Sequence, residues 1–242
     1  MPEPASYLEA NHSRPPFTPL PRSFYDPSAS VAASQLLGHY LIRNTPHGPS
    51  GGRIVETEAY LVDDPACHGS IGETPRNKTL YGPPGHAYVY LIYGFHCCFN
   101  TVCRPRGHAE AVLVRAIEAD IGEEWMQAQR PVSEPHQLTS GPGKLCAALA
   151  IDRSQDGVDL CDPKSPVYVA ENPEREQFLR ERGPLVTTTR IGIRLAAEWP
   201  LRFYLENSPF VSRRIPRKKA ARRARQVAPK SKAASSRRTP RR

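Results

Sequence analysis

Positive charge is concentrated at one end of this 242-residue chain. Residues 211–242 contain 14 Lys or Arg residues and no Asp or Glu. Removing these 14 from the chain's 33 basic residues leaves 19 against 24 acidic residues, so the rest of the chain carries a net charge of −5. A segment with so few apolar residues cannot bury a core, and a cationic tail usually binds a polyanion. We therefore predict a disordered basic tail at 213–242 and a fold built from the residues before it.

Proline marks the other end of the predicted domain. Six prolines lie within residues 1–22, which show little periodicity and are predicted to form a flexible leader. The domain is predicted to span 23–212, with order beginning near Ser23. No apolar run approaches the ~18 residues that span a bilayer, and no signal peptide is expected.

The six cysteines contain no Cys-x-x-Cys pair, and a chain of this size does not need disulfides. We expect reduced thiols and no metal site, because the nearby His and Cys residues lack paired ligand spacing. The expected location is cytoplasmic and nucleoid-associated if the source is bacterial, or nuclear if it is eukaryotic.

Short strands separated by Gly- and Pro-rich turns predict an α+β domain with an antiparallel sheet. A loop is predicted at 45–52, and residues 86–100 are predicted to form a strand pair or a long strand that turns at Gly94. Helices are predicted at 31–38, 121–130 and 144–150, and strands at 39–43, 53–60, 111–117, 187–195 and 201–205.

Two acids in one predicted strand are the first candidates for chemistry. Side chains alternate along a strand, so Glu56, Glu58 and Tyr60 share one face, with the two carboxylates about 6.5–7 Å apart. That spacing is compatible with joint acid/base work on a glycosidic bond. A solvated strand face would show the same pattern, although acids are poor strand formers.

Three tyrosines near a turn are the second candidates. Tyr88 and Tyr90 share one strand face, whereas Tyr93 points the other way just before Gly94. These rings could pack in the core, or one could stack on a base while another projects as a wedge. The pattern by itself leaves both interpretations open.

Five motifs, in this order, resemble the alkyladenine (3-methyladenine) DNA glycosylases. The resemblance covers most of the chain, from about Phe24 to Ser212. The motifs are Arg53-Ile-Val-Glu-Thr-Glu-Ala-Tyr60, Thr74-Pro-Arg-Asn77, Gly85-His-Ala-Tyr-Val-Tyr-Leu-Ile-Tyr-Gly94, Ser140-Gly-Pro-Gly-Lys-Leu145 and Leu201-Arg-Phe-Tyr204.

The resemblance implies a single domain with a curved, mainly antiparallel and open-barrel-like sheet, flanking helices and a protruding β-hairpin. It implies that Glu58 is the general base that activates a water, and that Arg115 helps to position this water. The remaining implied roles are Tyr60, His68, Tyr90, Asn100 and Ile191 in the base-binding pocket, with the main chain of Ile191 also contacting the water, and Tyr93 as the residue that intercalates into DNA.

Two departures from the family pattern flank the pocket and the wedge. The loops 61–68 and 68–74 are each one residue shorter than in mammalian members, and Phe95 and His96 replace a Met-Tyr pair. These changes bear on which lesions are accepted more than on the type of reaction.

The implied function is base excision repair. The enzyme would flip alkylated or deaminated purines from double-stranded DNA as a monomer and hydrolyse the N-glycosidic bond, leaving an abasic site. No cofactor, no membrane association and no lyase activity are expected. Two rival functions are a non-catalytic nucleic-acid-binding module, which explains only the tail, and a carbohydrate hydrolase with Glu56 and Glu58 as its acid pair.

Overall fold

Eight strands form one antiparallel sheet in the computed structural model, which describes residues 17–214. The sheet order is β3-β4-β5-β2-β1-β6, and β8 pairs with both β2 and β7, so the sheet is not closed in this part of the chain. The strands are β1 (Tyr40–Thr45), β2 (Gly48–Tyr60), β3 (Ala87–Ile92), β4 (His96–Cys103), β5 (Glu110–Ile121), β6 (Val167–Ala170), β7 (Leu185–Thr188) and β8 (Arg202–Leu205).

Four α-helices flank the sheet within residues 17–214. They are α1 (Ala29–Leu36), α2 (Glu123–Gln129), α3 (Pro142–Ala148) and α4 (Arg175–Glu181). None of these helices is long and apolar enough to cross a bilayer. The predicted α+β class, with an open antiparallel sheet in one domain, is confirmed.

The central strand, β2, organises the sheet because it pairs along both of its edges. One edge pairs with β5 for most of its length, and the other pairs first with β1 and then with β8. The start of β2 was predicted to be a loop, and this is wrong. Gly51 and Gly52 lie inside the strand, where an added Cβ would come within 2.1 Å of the Leu41 carbonyl oxygen and 1.9 Å of the Glu118 carbonyl oxygen, respectively. These glycines therefore permit close backbone approach instead of breaking the strand.

The two faces of the sheet have different roles. On one face, Thr57 donates its hydroxyl to the Ala33 carbonyl oxygen of α1, and Ala59 belongs to the main hydrophobic core. On the other face, Tyr60 and Tyr90 pack with Tyr88 in a smaller cluster. Strand alternation therefore directs the functional candidates of β2 and β3 away from the core.

The predicted strand pair at 86–100 is confirmed as a hairpin of β3 and β4. Its tip projects apolar side chains into solvent: Leu91, Tyr93 and Phe95 are 40%, 80% and 74% exposed. The hairpin is the protruding element that the resemblance implied.

Three regions differ from the secondary structure predicted from sequence. The strand expected at 187–195 ends at Thr188. Beyond it, the Ile191 N–H donates to the carboxylate of Glu58 and Gly192 adopts a φ of +80°, so neither residue continues the strand. Strand β6 and helix α4 were not predicted. Residues 17–22 were assigned to the flexible leader, yet Leu20 is 3% exposed and its N–H bonds to the Val169 carbonyl, so order begins by Phe17. The predicted tail, apart from Arg213 and Arg214, lies outside the described residues.

Candidate active site

Glu58 is a fully buried carboxylate held by two hydrogen bonds and one ion pair. Its Oε1 accepts a 2.7 Å hydrogen bond from the Ile191 N–H, and its Oε2 accepts one of 3.0 Å from the Tyr60 hydroxyl. The Arg115 Nη1 lies 3.2 Å from the same Oε2. A carboxylate offers about four lone-pair positions. Two hydrogen bonds and one ion pair therefore leave acceptor capacity for a further donor, such as a water molecule.

A second carboxylate, Glu56, lies on the same strand face and is also fully buried. Its Oε1 accepts from the Nε of Arg115 at 2.9 Å and from the Nε of Arg202 at 2.7 Å. The hydroxyl of Ser212 donates to Oε1 at 2.9 Å, and the Ser212 N–H donates to Oε2 at 2.7 Å. Burial alone would raise the pKa of Glu56, but Arg115, Arg202 and the Ser212 N–H outweigh it and lower the pKa. Glu56 is therefore ionised at neutral pH.

Arg115 reaches both carboxylates from an irregular position in β5. Glu56 pairs with Ala116 and Thr57 pairs with Val114, so Arg115 has no direct partner on β2. Such β-bulges redirect side chains beside functional sites. Burial lowers the pKa of Arg115, but Glu58 and Glu56 more than compensate and raise it. Arg115 is thus a permanent cation between two buried acids.

A cavity of about 340 Å³ opens beside Glu58, within the roughly 300–1,000 Å³ range of small-molecule sites. Aromatic rings make up much of its wall, since Tyr60, Tyr88, Tyr90 and His68 all line it. The His68 ring packs edge-on to Tyr90 with centroids 4.4 Å apart, and its Nδ1 lies 2.8 Å from the Tyr88 hydroxyl. This wall suits a flat aromatic ligand.

Tyr60, Tyr90 and His68 in the cavity wall are themselves uncharged. Burial raises the pKa of both Tyr60 and Tyr90, and Glu58 raises that of Tyr60 further. Burial, together with Arg76, lowers the pKa of His68. All three side chains are therefore neutral at pH 7, and Tyr60 keeps the proton that it donates to Glu58.

Asn100 is held rigidly at the cavity edge. It is 3% exposed, and its side-chain amide donates to the Tyr88 carbonyl oxygen at 3.0 Å. The neighbouring Cys98 also lines the cavity, and burial raises the pKa of its thiol to about 11. The site thus has one fixed amide and one neutral thiol on this side.

Tyr93 stands at the rim of the same cavity, on the tip of the β3–β4 hairpin. Its φ is +51° and that of Gly94 is +81°. A positive φ is unusual for a bulky residue and is associated with functional turns. The ring is thereby held outward, at 80% exposure, where a partner could cover it.

A buried ion pair packs against Tyr60, one of the rings of the cavity wall. Both oxygens of Asp64 accept from the guanidinium of Arg190, and neither side chain is exposed to solvent. The guanidinium also donates to the Ala59 carbonyl oxygen and lies 4.6 Å from the centroid of the Tyr60 ring. Arg190 directly precedes Ile191, whose N–H binds Glu58. The pair therefore anchors both a ring of the wall and the segment that holds the carboxylate.

The structure brings all the site residues predicted from sequence to one place. Glu58 contacts three residues that line the cavity, and each of the other predicted residues lines it directly: Tyr60, His68, Tyr90, Tyr93, Asn100, Arg115 and Ile191.

Sequence reasoning missed four residues that hold this site in place. Arg202 lies in the quoted Leu201–Tyr204 motif, which could have drawn attention to it. Asp64, Arg190 and Ser212 carry no local signal, because each contact joins residues more than 100 positions apart.

No metal site is formed within residues 17–214, where no three His, Cys, Asp or Glu side chains come together in a suitable group. All six cysteines are free thiols.

Comparison with known proteins agrees with this geometry. The family model described as methylpurine-DNA glycosylase (MPG) matches residues 23–209. A protein of Methanoculleus marisnigri is 47% identical over 195 residues, covering 81% of this chain and 99% of its own length. Proteins of Methanocella arvoryzae and Carboxydothermus hydrogenoformans are 46% and 44% identical, each covering 81% of this chain and 97% and 99% of their own lengths. All three carry the provisional name 3-methyladenine DNA glycosylase. The chain belongs to the methylpurine-DNA glycosylase family.

Proposed function

We propose that this protein is a monofunctional DNA glycosylase that removes alkylated or deaminated purines from double-stranded DNA. The observation that carries the proposal is a buried carboxylate, Glu58, bound to three residues that line an aromatic cavity: Tyr60, Arg115 and Ile191. A flat base fits the wall, and Tyr60, Arg115 and Ile191 connect the cavity to the carboxylate behind them. Family membership and the names of the relatives support the same activity.

The cavity would bind the damaged base by stacking. Base–aromatic stacking contributes about 1–3 kcal/mol per base, and Tyr60 and Tyr90 offer two rings for it. Alkylation at a ring nitrogen gives the purine a positive charge, which strengthens its attraction to an aromatic face. The site would therefore favour a base that is also a good leaving group.

A base within a duplex cannot reach this cavity, so the nucleotide must rotate out of the helix. Unstacking costs a few kcal/mol, and less for a damaged or mispaired base. Tyr93 projects from the hairpin at the cavity rim and would enter the space that the base vacates. In this way an exposed ring and a concave site act on the same nucleotide.

Hydrolysis would then proceed from Glu58. As the carboxylate accepts a proton from water, the water oxygen bonds to the sugar C1′ and the electron pair of the N-glycosidic bond passes to the purine. A purine that starts as a cation leaves as a neutral base, whereas a neutral purine leaves as an anion and takes up a proton from solvent. The carboxylate also offsets positive charge that develops on the sugar. Arg115 keeps Glu58 oriented during this step.

Two rival functions fit the geometry less well. A carbohydrate hydrolase with paired acids would need Glu56 as the second acid or nucleophile. All four donors around Glu56 come from the protein, and its lowered pKa keeps it ionised, so it cannot supply a proton. A non-catalytic nucleic-acid-binding module would not need a buried, hydrogen-bonded Glu58.

A covalent lyase route would require a nucleophilic amine near the sugar. No lysine is present among the described residues that line the cavity. We therefore propose that the enzyme leaves an intact strand with an abasic site. Borohydride treatment during turnover should trap no protein–DNA adduct, and the appearance of such an adduct would contradict this part of the proposal.

The decisive assay uses the full chain and three DNA duplexes that differ at one position. One contains hypoxanthine, one contains ethenoadenine and one contains undamaged adenine, with alkali treatment used to reveal abasic sites. A methylated duplex DNA provides the alkylated substrate. We expect free base and abasic sites from at least one damaged duplex and none from the undamaged control. Binding without base release from every damaged DNA would leave the nucleic-acid-binding module as the better description.

A further inference from the structure

Glu56 uses its whole carboxylate within the protein. Four donors from Arg115, Arg202 and Ser212 surround it at 2.7–2.9 Å, three on Oε1 and one on Oε2. The side chain is fully buried and does not line the cavity. Of the three residues that bind Glu56, only Arg115 lines the cavity, so an effect of Glu56 on the reaction passes through Arg115.

The contact with Arg115 provides that route. The Nε of Arg115 binds Glu56 at 2.9 Å, and Nη1 of the same guanidinium lies 3.2 Å from Glu58. Because the guanidinium is planar and rigid, fixing its Nε edge also fixes the direction of its other nitrogens. Arg115 lies at a β-bulge, so regular pairing with β2 does not set its position.

Charge balance reinforces this geometry. Glu56, Glu58, Arg115 and Arg202 form one buried cluster with two negative and two positive charges. Without the charge of Glu56, Arg115 and Arg202 would share Glu58 as the only anion of the four. The guanidinium of Arg115 would then be drawn toward the general base and away from its present orientation.

We infer that Glu56 is a positioning residue for the glycosylase reaction: its carboxylate fixes the guanidinium of Arg115, and Arg115 in turn fixes Glu58. This inference rests on the proposed function and extends it to a residue with no direct access to substrate. Glu56 thus supports Glu58, the other acid on the same strand face, by electrostatic interactions through Arg115.

Glu56→Gln tests the inference in the full-length protein. Single-turnover excision from a lesion duplex should slow about 10- to 100-fold, since small misplacements of catalytic groups cost rates of this order. The affinity for the same duplex should stay within about twofold. Glu118→Gln is the matched control, because Glu118 is also a buried acid on an arginine, 2.8 Å from the Nε of Arg182. The control should excise at the wild-type rate.

A double-mutant cycle separates positioning from general structural support. If Glu56 acts through Arg115, Glu56→Gln should change the rate less than about threefold in an Arg115→Met background. Equal losses in both backgrounds would overturn the inference. If Glu56→Gln does not fold, Glu56→Gln combined with Arg202→Gln removes one charge of each sign and keeps the cluster neutral.

That charge-balanced double variant should show the same slow excision, and wild-type excision by it would overturn the inference. Failure of the proposed function gives a different result. A wild-type protein that releases no base would remove the proposed function and this inference together. Wild-type base release with unimpaired Glu56→Gln would remove the inference alone.

Discussion

Replacing Asp64 with asparagine removes the counter-charge of Arg190 while keeping the shape of the side chain. The guanidinium donates to both oxygens of Asp64, and both side chains are fully buried. Asparagine can still accept the 2.9 Å hydrogen bond that Asp64 receives from the Ala66 N–H. The substitution therefore removes the negative charge and one of the two acceptor oxygens that Arg190 uses, and leaves the other oxygen in place.

The expected loss of stability is large because Arg190 can neither lose its proton nor reach solvent. Breaking a buried ion pair costs about 3–5 kcal/mol, and retention of the Ala66 contact places Asp64→Asn near 3 kcal/mol. A domain is stable by only about 5–15 kcal/mol. For a domain of this size the melting temperature should fall by roughly 6–12 °C, at about 2–4 °C per kcal/mol.

Equilibrium unfolding in urea at pH 7 measures this loss, with Glu176→Gln as the control. Glu176 pairs with Arg175 on the surface and its side chain is 77% exposed, so its replacement should change the free energy of unfolding by no more than about 0.5 kcal/mol. Base excision by folded Asp64→Asn should also slow, because Arg190 anchors Ile191 against Glu58. A loss below about 1 kcal/mol would refute the argument that this pair supports the site.

Three further predictions concern the wedge, pH and the tail. Tyr93→Ala should weaken binding to lesion duplex by about 1–3 kcal/mol in fluorescence anisotropy, and unchanged affinity would contradict intercalation. Burial, with Arg175, lowers the pKa of His39 to about 4. Because the unfolded histidine titrates near 6.5, this contribution to stability is complete above pH 6.5 and is lost as pH falls toward 4. Measured by urea unfolding across that range, the free energy of unfolding should depend less on pH in His39→Gln than in the wild type. Equal pH dependence in the two proteins would refute this role of His39. Truncation after Ser212 removes 14 basic residues and should flatten the salt dependence of DNA binding; an unchanged slope would show that the tail does not contact DNA phosphates.

Strand alternation made part of the site predictable from sequence. A period of two places Glu56, Glu58 and Tyr60 on one face, and the structure joins all three through Arg115 and direct contact. The choice of Glu58 over Glu56 did not follow from that period. It follows physically from their partners: all three residues that bind Glu58 line the cavity, whereas Arg202 and Ser212, two of the three that bind Glu56, do not.

Long-range partners explain what the sequence did not reveal. Arg202 contacts Glu56 across 146 residues, and Arg190 contacts Asp64 across 126. No local period encodes such pairs. The strand predicted at 187–195 failed for the same reason, because the Ile191 N–H bonds to Glu58 instead of to a neighbouring strand. The site thus depends on segments that looked ordinary in isolation.

Single-turnover excision by Glu58→Gln tests the central claim most directly. The amide keeps the size of the side chain but cannot accept a proton from water, and general-base catalysis contributes about 10²–10⁴ in rate. We expect Glu58→Gln to bind a lesion duplex with affinity close to wild type and to release its base at least about 100-fold more slowly. Excision by this variant within a few-fold of the wild-type rate would contradict the assignment of Glu58 as the residue that activates water.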